Sequence, residues 1–179
     1  MRLYTCQNVA IAEKIDRLGR HTCIISESPH YREDDGFREA YDWLAKALAK
    51  RVKKPVDATH PIWAYAKTPE GYDYHSQGSE GEQCVYYVLE IPDDQVVGID
   101  PVKWSSIYTD GFVYPPDIDD DEYERLCEKY KNASKEELEA NRARVFDIDE
   151  GNIPEMVFWA IDAANIVSAT RYICHLSTK

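Results

Sequence analysis

The sequence predicts an α+β fold, built as a single domain over residues 1–179. Its sheet is expected to be mixed or antiparallel, whole or split, with the N- and C-terminal strands in the core and helices packed around them. Three observations lead there. Stretches rich in aromatic and β-branched residues lie at both ends of the chain, the densest being Glu155-Met-Val-Phe-Trp-Ala-Ile161, and these read as buried strands. Between them run segments whose apolar residues recur at helical spacing. With 179 residues, 44% of them hydrophobic and 30% charged, the chain can build one real core and still present a polar surface.

Met1 to Cys6 reads as the first strand. Asn8 is placed to cap a helix on which Ile11, Ile15 and Leu18 share a face, and Gly19 to end it in a left-handed turn. His21 to Ser26 reads as a short strand, and Ser28 to Gly36, which contains Pro29 and several charges, as a loop. The clearest helix runs from Phe37 to Arg51, with Phe37, Tyr41, Leu44 and Leu48 in one stripe and Pro55 as its stop. Lys50, Arg51, Lys53 and Lys54 gather where the helix dipole favours cations, a better explanation for them than a phosphate site. In the strand His60 to Ala66, Ile62 and Ala64 face one way and Trp63 and Tyr65 the other.

Glu70 to Gln83 is a polar, glycine-bearing loop with Tyr72, Tyr74 and His75, either a cover over a site or a long hairpin connection. Cys84 to Ile91 and Gln95 to Ile99 read as strands joined by the turn Pro92-Asp-Asp94. Pro101 to Tyr108 reads as a short helix bearing Trp104, and Asp119 to Asp121 open another with Tyr123, Leu126, Cys127 and Tyr130 on one face. Ser134 and Glu137 form a capping-box pair for a helix reaching about Arg144, mostly exposed because Leu138 is its one large apolar residue. Asp147 to Asn152 has some carboxylates of a calcium loop, but it lacks the later Glu and has Asn152 where that loop needs glycine. Strands at Glu155 to Ile161 and Ile166 to Leu176, joined by Asp162-Ala-Ala-Asn165, close the sheet.

Composition narrows the function classes. A net charge of −12 argues against duplex nucleic acid as a partner, because phosphate binding needs a basic footprint. The apolar runs fall short of a membrane span, and Glu13 and Lys14 interrupt anything resembling a signal peptide, so no membrane association and a cytoplasmic location are expected. Five widely spaced cysteines form neither a disulfide framework nor a C-x-x-C pair, so they read as buried or half-buried thiols and no metal is expected. Glycine-rich phosphate loops are absent, which leaves neither a Walker ATPase nor a Rossmann dehydrogenase. Cys174 and His175 are neighbours whose side chains diverge in a strand, and so cannot serve as a nucleophile pair.

Three groups of residues are candidates for chemistry. Glu155 opens an apolar strand, either as a solvated charge or as a working carboxylate. Trp63 and Tyr65 share a strand face, either as core or as a platform for a flat ring. Thr5 and Gln7 share a face of the first strand, pointing to solvent or lining a groove.

The segments Arg2-Leu-Tyr-Thr-Cys-Gln7, Phe37-Arg-Glu-Ala-Tyr-Asp-Trp-Leu44, Pro61-Ile-Trp-Ala-Tyr65, Leu89-Glu-Ile-Pro-Asp-Asp94 and Val157-Phe-Trp-Ala-Ile161 follow the order of a bacterial family catalogued as domain of unknown function 3841. The chain resembles that family over nearly its whole length. More distantly it resembles ADP-ribosyltransferases. These open with a strand containing Leu-Tyr and a helix ending in Gly, and close with a strand starting at a catalytic Glu. That resemblance implies an ADP-ribosyltransferase-like fold in which NAD lies across a split sheet as substrate. It implies Glu155 as the catalytic carboxylate and Tyr65, with Trp63, beside the nicotinamide. The family's first-strand His or Arg falls on Thr5, a departure for which Arg2 or Gln7 would have to substitute. The resemblance further implies a macromolecular or small-molecule acceptor and a place in bacterial conflict or toxin–antitoxin biology. The competing expectation is a non-enzymatic acidic module that uses an aromatic groove to hold a protein or nucleotide partner.

Overall fold

A computed structural model describes residues 1–175, so the expected extension of the last strand to Leu176 lies outside the described residues. The main sheet has six strands: β1 (Arg2–Asn8), β3 (Ile62–Tyr65), β4 (Gln83–Glu90), β5 (Val97–Ile99), β6 (Glu155–Phe158) and β8 (Ile166–Ile173). Their order across the sheet is β5-β6-β3-β1-β4-β8, and every neighbouring pair is antiparallel. A two-stranded sheet pairs β2 (Arg20–Thr22) with β7 (Ala160–Asp162). The helices are α1 (Val9–Leu18), α2 (Pro29–Glu33), α3 (Asp35–Ala49), α4 (Pro101–Asp110), α5 (Asp120–Lys131) and α6 (Lys135–Arg142). Among the described residues no helix is long and apolar enough to cross a membrane.

Alternation along the strands places the two cores. Leu3, Ile62, Ala64, Val85, Tyr87, Leu89, Met156 and Phe158 leave one face and pack with Ala12 and Ile15 of α1. On the other face, Val157 and Ile99 pack against Trp43, Leu44 and Leu48 of α3 and Trp104 and Ile107 of α4. That second helical layer covers the β5-β6-β3 half of the sheet. The remaining half of the same face is covered by a smaller cluster of Cys84, Tyr172 and Cys174, joined by Cys6, Tyr74 and Tyr86.

Local signals act where the sequence places them. Asn8 Oδ1 accepts from the Ala10 N–H at 2.8 Å, and Gly19 closes α1 at φ 72°. The Ser134–Glu137 capping box forms at α6, whose first turns are exposed.

Four expectations are corrected. The loop expected at Ser28 to Gly36 contains α2, and Asp34 caps α3 by accepting from Phe37 N–H at 2.9 Å. The next helix holds this segment, since Tyr31 donates to Asp42 of α3 at 2.7 Å. The strand expected at His21 to Ser26 is shorter, because after Thr22 a single bridge from Cys23 to His60 gives way to a 3₁₀ turn at Ile25–Glu27. Glu155 to Ile161 is not one strand. It breaks at buried Trp159, whose Nε1 donates to Val52 O at 3.3 Å, and the chain there passes from the main sheet to the small one. The C-terminal strand is not in the core: among the described residues β8 pairs with β4 alone, at the sheet edge, and most of its residues are exposed.

The join between β1 and β3 is the weak seam of the sheet. β1 pairs with β4 along its whole length, from Arg2↔Glu90 to Asn8↔Cys84, whereas with β3 it shares only Tyr4↔Tyr65. Next to that pair Thr5 Oγ1 donates to Trp63 O at 2.7 Å, so a side chain spans the gap that backbone pairing leaves open.

Candidate functional site

The site is built on that seam. Glu155, first in β6, and Tyr65, last in β3, are register partners, so their side chains leave the same face of the sheet. The Tyr65 hydroxyl donates to Glu155 Oε1 at 3.1 Å. Tyr4 stands opposite Tyr65 on the β1 side. These side chains, together with Thr5, Gln7 and Trp63, line a cavity of about 330 Å³. Five of the six residues singled out from the sequence are therefore brought together. Arg2 is not: it pairs with Glu90 at 2.9 Å and borders a separate depression beside Met1 and Asn165.

Thr5 and Gln7 belong to the opposite face of β1 from Tyr4, and reach the cavity because the seam is open beside them. Gln7 Nε2 donates to Thr5 Oγ1 at 2.8 Å, while that hydroxyl donates onward to Trp63 O. Thr5 is 4% exposed and its hydroxyl is already engaged on both sides. It braces the opening rather than presenting a free group to it. A second cavity of about 310 Å³ shares Thr5, Cys6, Gln7 and Trp63 with the first and continues toward His21, Ile24 and Pro61.

The loop between β3 and β4 supplies the outer wall, with Tyr72, Gln77, Gly78 and Glu82 lining the cavity. It is both a connection and a cover, and its aromatic residues explain how it is held. Tyr72 Oη meets Cys6 Sγ at 3.4 Å, and Tyr74 stacks on Tyr86 with ring centroids 4.5 Å apart. Tyr172 donates to Gln77 O at 2.8 Å, and Cys174 N–H to Glu82 O at 2.8 Å. Gly78 is needed for close approach: at φ 135° a Cβ there would lie 3.0 Å from both Cys84 Sγ and Glu82 Oε2. Glu82 is a cavity-lining carboxylate that the residues alone do not single out. Its signal is its place at the end of a tyrosine-rich loop, but no local pattern says which strand end it meets. In the fold it accepts from Asn8 Nδ2 at 2.6 Å and Ser79 N–H at 2.7 Å.

The two carboxylates differ in character. Burial pushes Glu155 above the ordinary carboxylate range, and the bond from Tyr65 draws it partly back. Burial and the Glu155 charge in turn push the Tyr65 phenol up to about 12, so it stays a donor at neutral pH. Bonds from Ser79 N–H and Asn8 hold Glu82 below its usual value and keep it ionised. A half-buried carboxylate, a neutral phenol bonded to it and aromatic walls suit the stabilisation of positive charge on a flat or ring-shaped ligand. Among the described residues no group of three or more His, Cys, Asp or Glu side chains is arranged to hold a metal ion.

No curated protein and no solved structure matches the chain. A family model described as "Domain of unknown function (DUF3841)" matches residues 2–165, which runs from β1 to the turn before β8. The chain belongs to the DUF3841 family.

Proposed function

We propose that this protein is an ADP-ribosyltransferase-like enzyme that takes NAD as substrate and passes its ADP-ribosyl group to an acceptor, with Glu155 as the catalytic carboxylate. One observation carries the reading: Glu155 and Tyr65, from adjacent strands, meet at a cavity lying where the sheet opens between β1 and β3. A split sheet with a carboxylate at the head of a late strand is the arrangement that the distant resemblance implies. In the reaction the bond between the ribosyl carbon and the pyridinium nitrogen breaks, and its electron pair leaves with the ring as neutral nicotinamide. Positive charge then develops on the ribosyl carbon and its ring oxygen, where a carboxylate in a site of reduced dielectric stabilises it most. An acceptor hydroxyl forms the new bond to that carbon and gives its proton to water.

The test is incubation with NAD labelled in the adenylate, followed by separation of protein-bound, small-molecule and unreacted label. The wild-type chain transfers or releases labelled ADP-ribose, and Glu155→Ala lowers the rate by roughly 10²–10³-fold, the usual cost of losing one stabilising group at the reacting centre. Turnover that survives the substitution overturns the assignment.

A second reading is favoured by Thr5, whose hydroxyl is spent on bracing the seam at the place where the resemblance calls for His or Arg. In that reading the cleft binds its ligand without turnover, and saturable NAD binding with no release of nicotinamide is its signature.

A further inference from the structure

The charges around the cleft select for one part of the ligand. The first cavity is lined by Glu82 and Glu155, the two carboxylate residues, and by Tyr4, Trp63, Tyr65 and Tyr72. Among the described residues lining either cavity there is no Lys and no Arg. The one imidazole, His21, is kept neutral by burial and by the nearby charge of Lys14, a residue outside both linings. The N-terminus of α1 is the remaining positive feature, and it is already matched: Asn8 caps it and Glu82 is bonded to Asn8. A diphosphate entering this cleft would therefore meet carboxylates and find no cation to pair with, inside a chain of net charge −12. A pyridinium ring meets the opposite situation, with the carboxyl groups of Glu82 and Glu155 and several aromatic residues in the lining.

We infer that the cleft recognises its substrate through a cationic N-ribosylated ring and makes no ion pair with phosphate, so that a phosphate-free pyridinium riboside is a ligand in its own right. The inference rests on the assignment of Glu155 given above and names the substrate class for it. The adenosine diphosphate portion of NAD, where present, lies outside the carboxylate-lined cavity and adds little to affinity.

Calorimetry on the full chain with nicotinamide riboside, NAD, NADH and ADP-ribose tests this. Nicotinamide riboside is expected to bind at least as tightly as NAD. NADH, whose ring is neutral, is expected to bind roughly tenfold or more weakly, the scale of one cation–π contact next to a carboxylate. ADP-ribose should not compete with nicotinamide riboside. Glu82→Gln, with its fold checked by thermal melting, should weaken the riboside and leave NADH unchanged. Equal affinities for NAD and NADH, displacement of the riboside by ADP-ribose, or binding of none of the four overturns the inference. The two assignments fail differently. Glu155-dependent turnover of NAD accompanied by tight ADP-ribose binding sinks the inference alone. Charge-selective binding of the riboside without Glu155-dependent turnover sinks the enzymatic reading alone.

Discussion

Tyr65 and Glu155 stand opposite one another at the ends of two antiparallel strands, and the phenol of the first is bonded to the carboxylate of the second at 3.1 Å. This single bond ties the ring wall of the cleft to its acidic group. It also lowers the proton affinity that burial gives Glu155. Tyr65→Phe keeps the ring and removes the bond. The Glu155 carboxyl should then titrate at higher pH than in the wild type, which carbon-13 NMR of labelled glutamate would register as an upward move of its midpoint. The loss of stability should be small, about 1 kcal/mol. An unchanged midpoint would mean that the bond does not govern the acid.

Glu155 pays for its position in stability. Because its pKa is raised by folding, protonation favours the native state. Its contribution is fully present below the ordinary carboxylate pKa and is lost as pH rises through the elevated folded-state value. Glu155→Gln, which removes the charge, should therefore raise the melting temperature at neutral pH, on the order of 2–4 °C for each kcal/mol recovered in a chain of this size. The gain should vanish at pH values below the ordinary carboxylate range. A gain that persists unchanged into acid would contradict the sign.

Asp100 follows the edge strand β5, beside the Ile99 that pairs with Glu155, and shows the opposite pH behaviour. It is wholly buried, and its Oδ1 accepts from Val102 N–H at 3.0 Å and Lys103 N–H at 3.1 Å as the cap of α4. Its Oδ2 accepts from Asp149 N–H at 3.0 Å and Asn152 Nδ2 at 2.8 Å. Burial alone would raise its pKa, but these bonds outweigh burial and hold it low. Its stabilisation is present above the ordinary carboxylate pKa and is lost as pH falls through the depressed folded-state value. Asp100→Ala should cost about 2–4 kcal/mol at neutral pH by denaturant melting, from the lost cap and the stranded donors.

Thr5 braces the seam. Thr5→Val keeps the shape and leaves Trp63 O and Gln7 Nε2 without their partner, at a cost of about 1–3 kcal/mol. Thr5→Ser, which keeps the hydroxyl, should recover most of it. Hydrogen exchange at β3 should quicken in the valine variant and stay near the wild-type rate in the serine variant. Equal rates in the two would show that the hydroxyl does not hold the seam.

Much of this architecture was legible in the residues because local chemistry dictated it. Asn8 and Gly19 frame α1, Ser134 and Glu137 open α6, and the alternation of Ile62, Trp63, Ala64 and Tyr65 divides β3 between the core and the site. What could not be read depends on contacts distant in sequence. Trp159 looks like the middle of one strand until Val52, far away in the chain, fixes it at the passage between two sheets. The turn Asp147 to Asn152 lacks the pattern of a calcium loop, and its actual task needs distant partners: Asp149 N–H and Asn152 Nδ2 satisfy Asp100, while the Asp149 carboxylate pairs with Lys103 at 2.6 Å. Apolar Ile166 to Ile173 read as core, but among the described residues β8 has a partner on one side only. Glu82 joins the site because Asn8, at the end of β1, lies beside the start of β4. Arg2 was expected near the ligand, yet the strand carries it away to Glu90.

The most direct measurement is single-turnover release of nicotinamide from NAD by the wild-type chain and by Glu155→Gln, with enzyme in excess and both proteins confirmed as folded. The wild type should release nicotinamide, and the variant should do so roughly 10²–10³-fold more slowly. Equal rates, or no release by either protein, would contradict the enzymatic role given to Glu155.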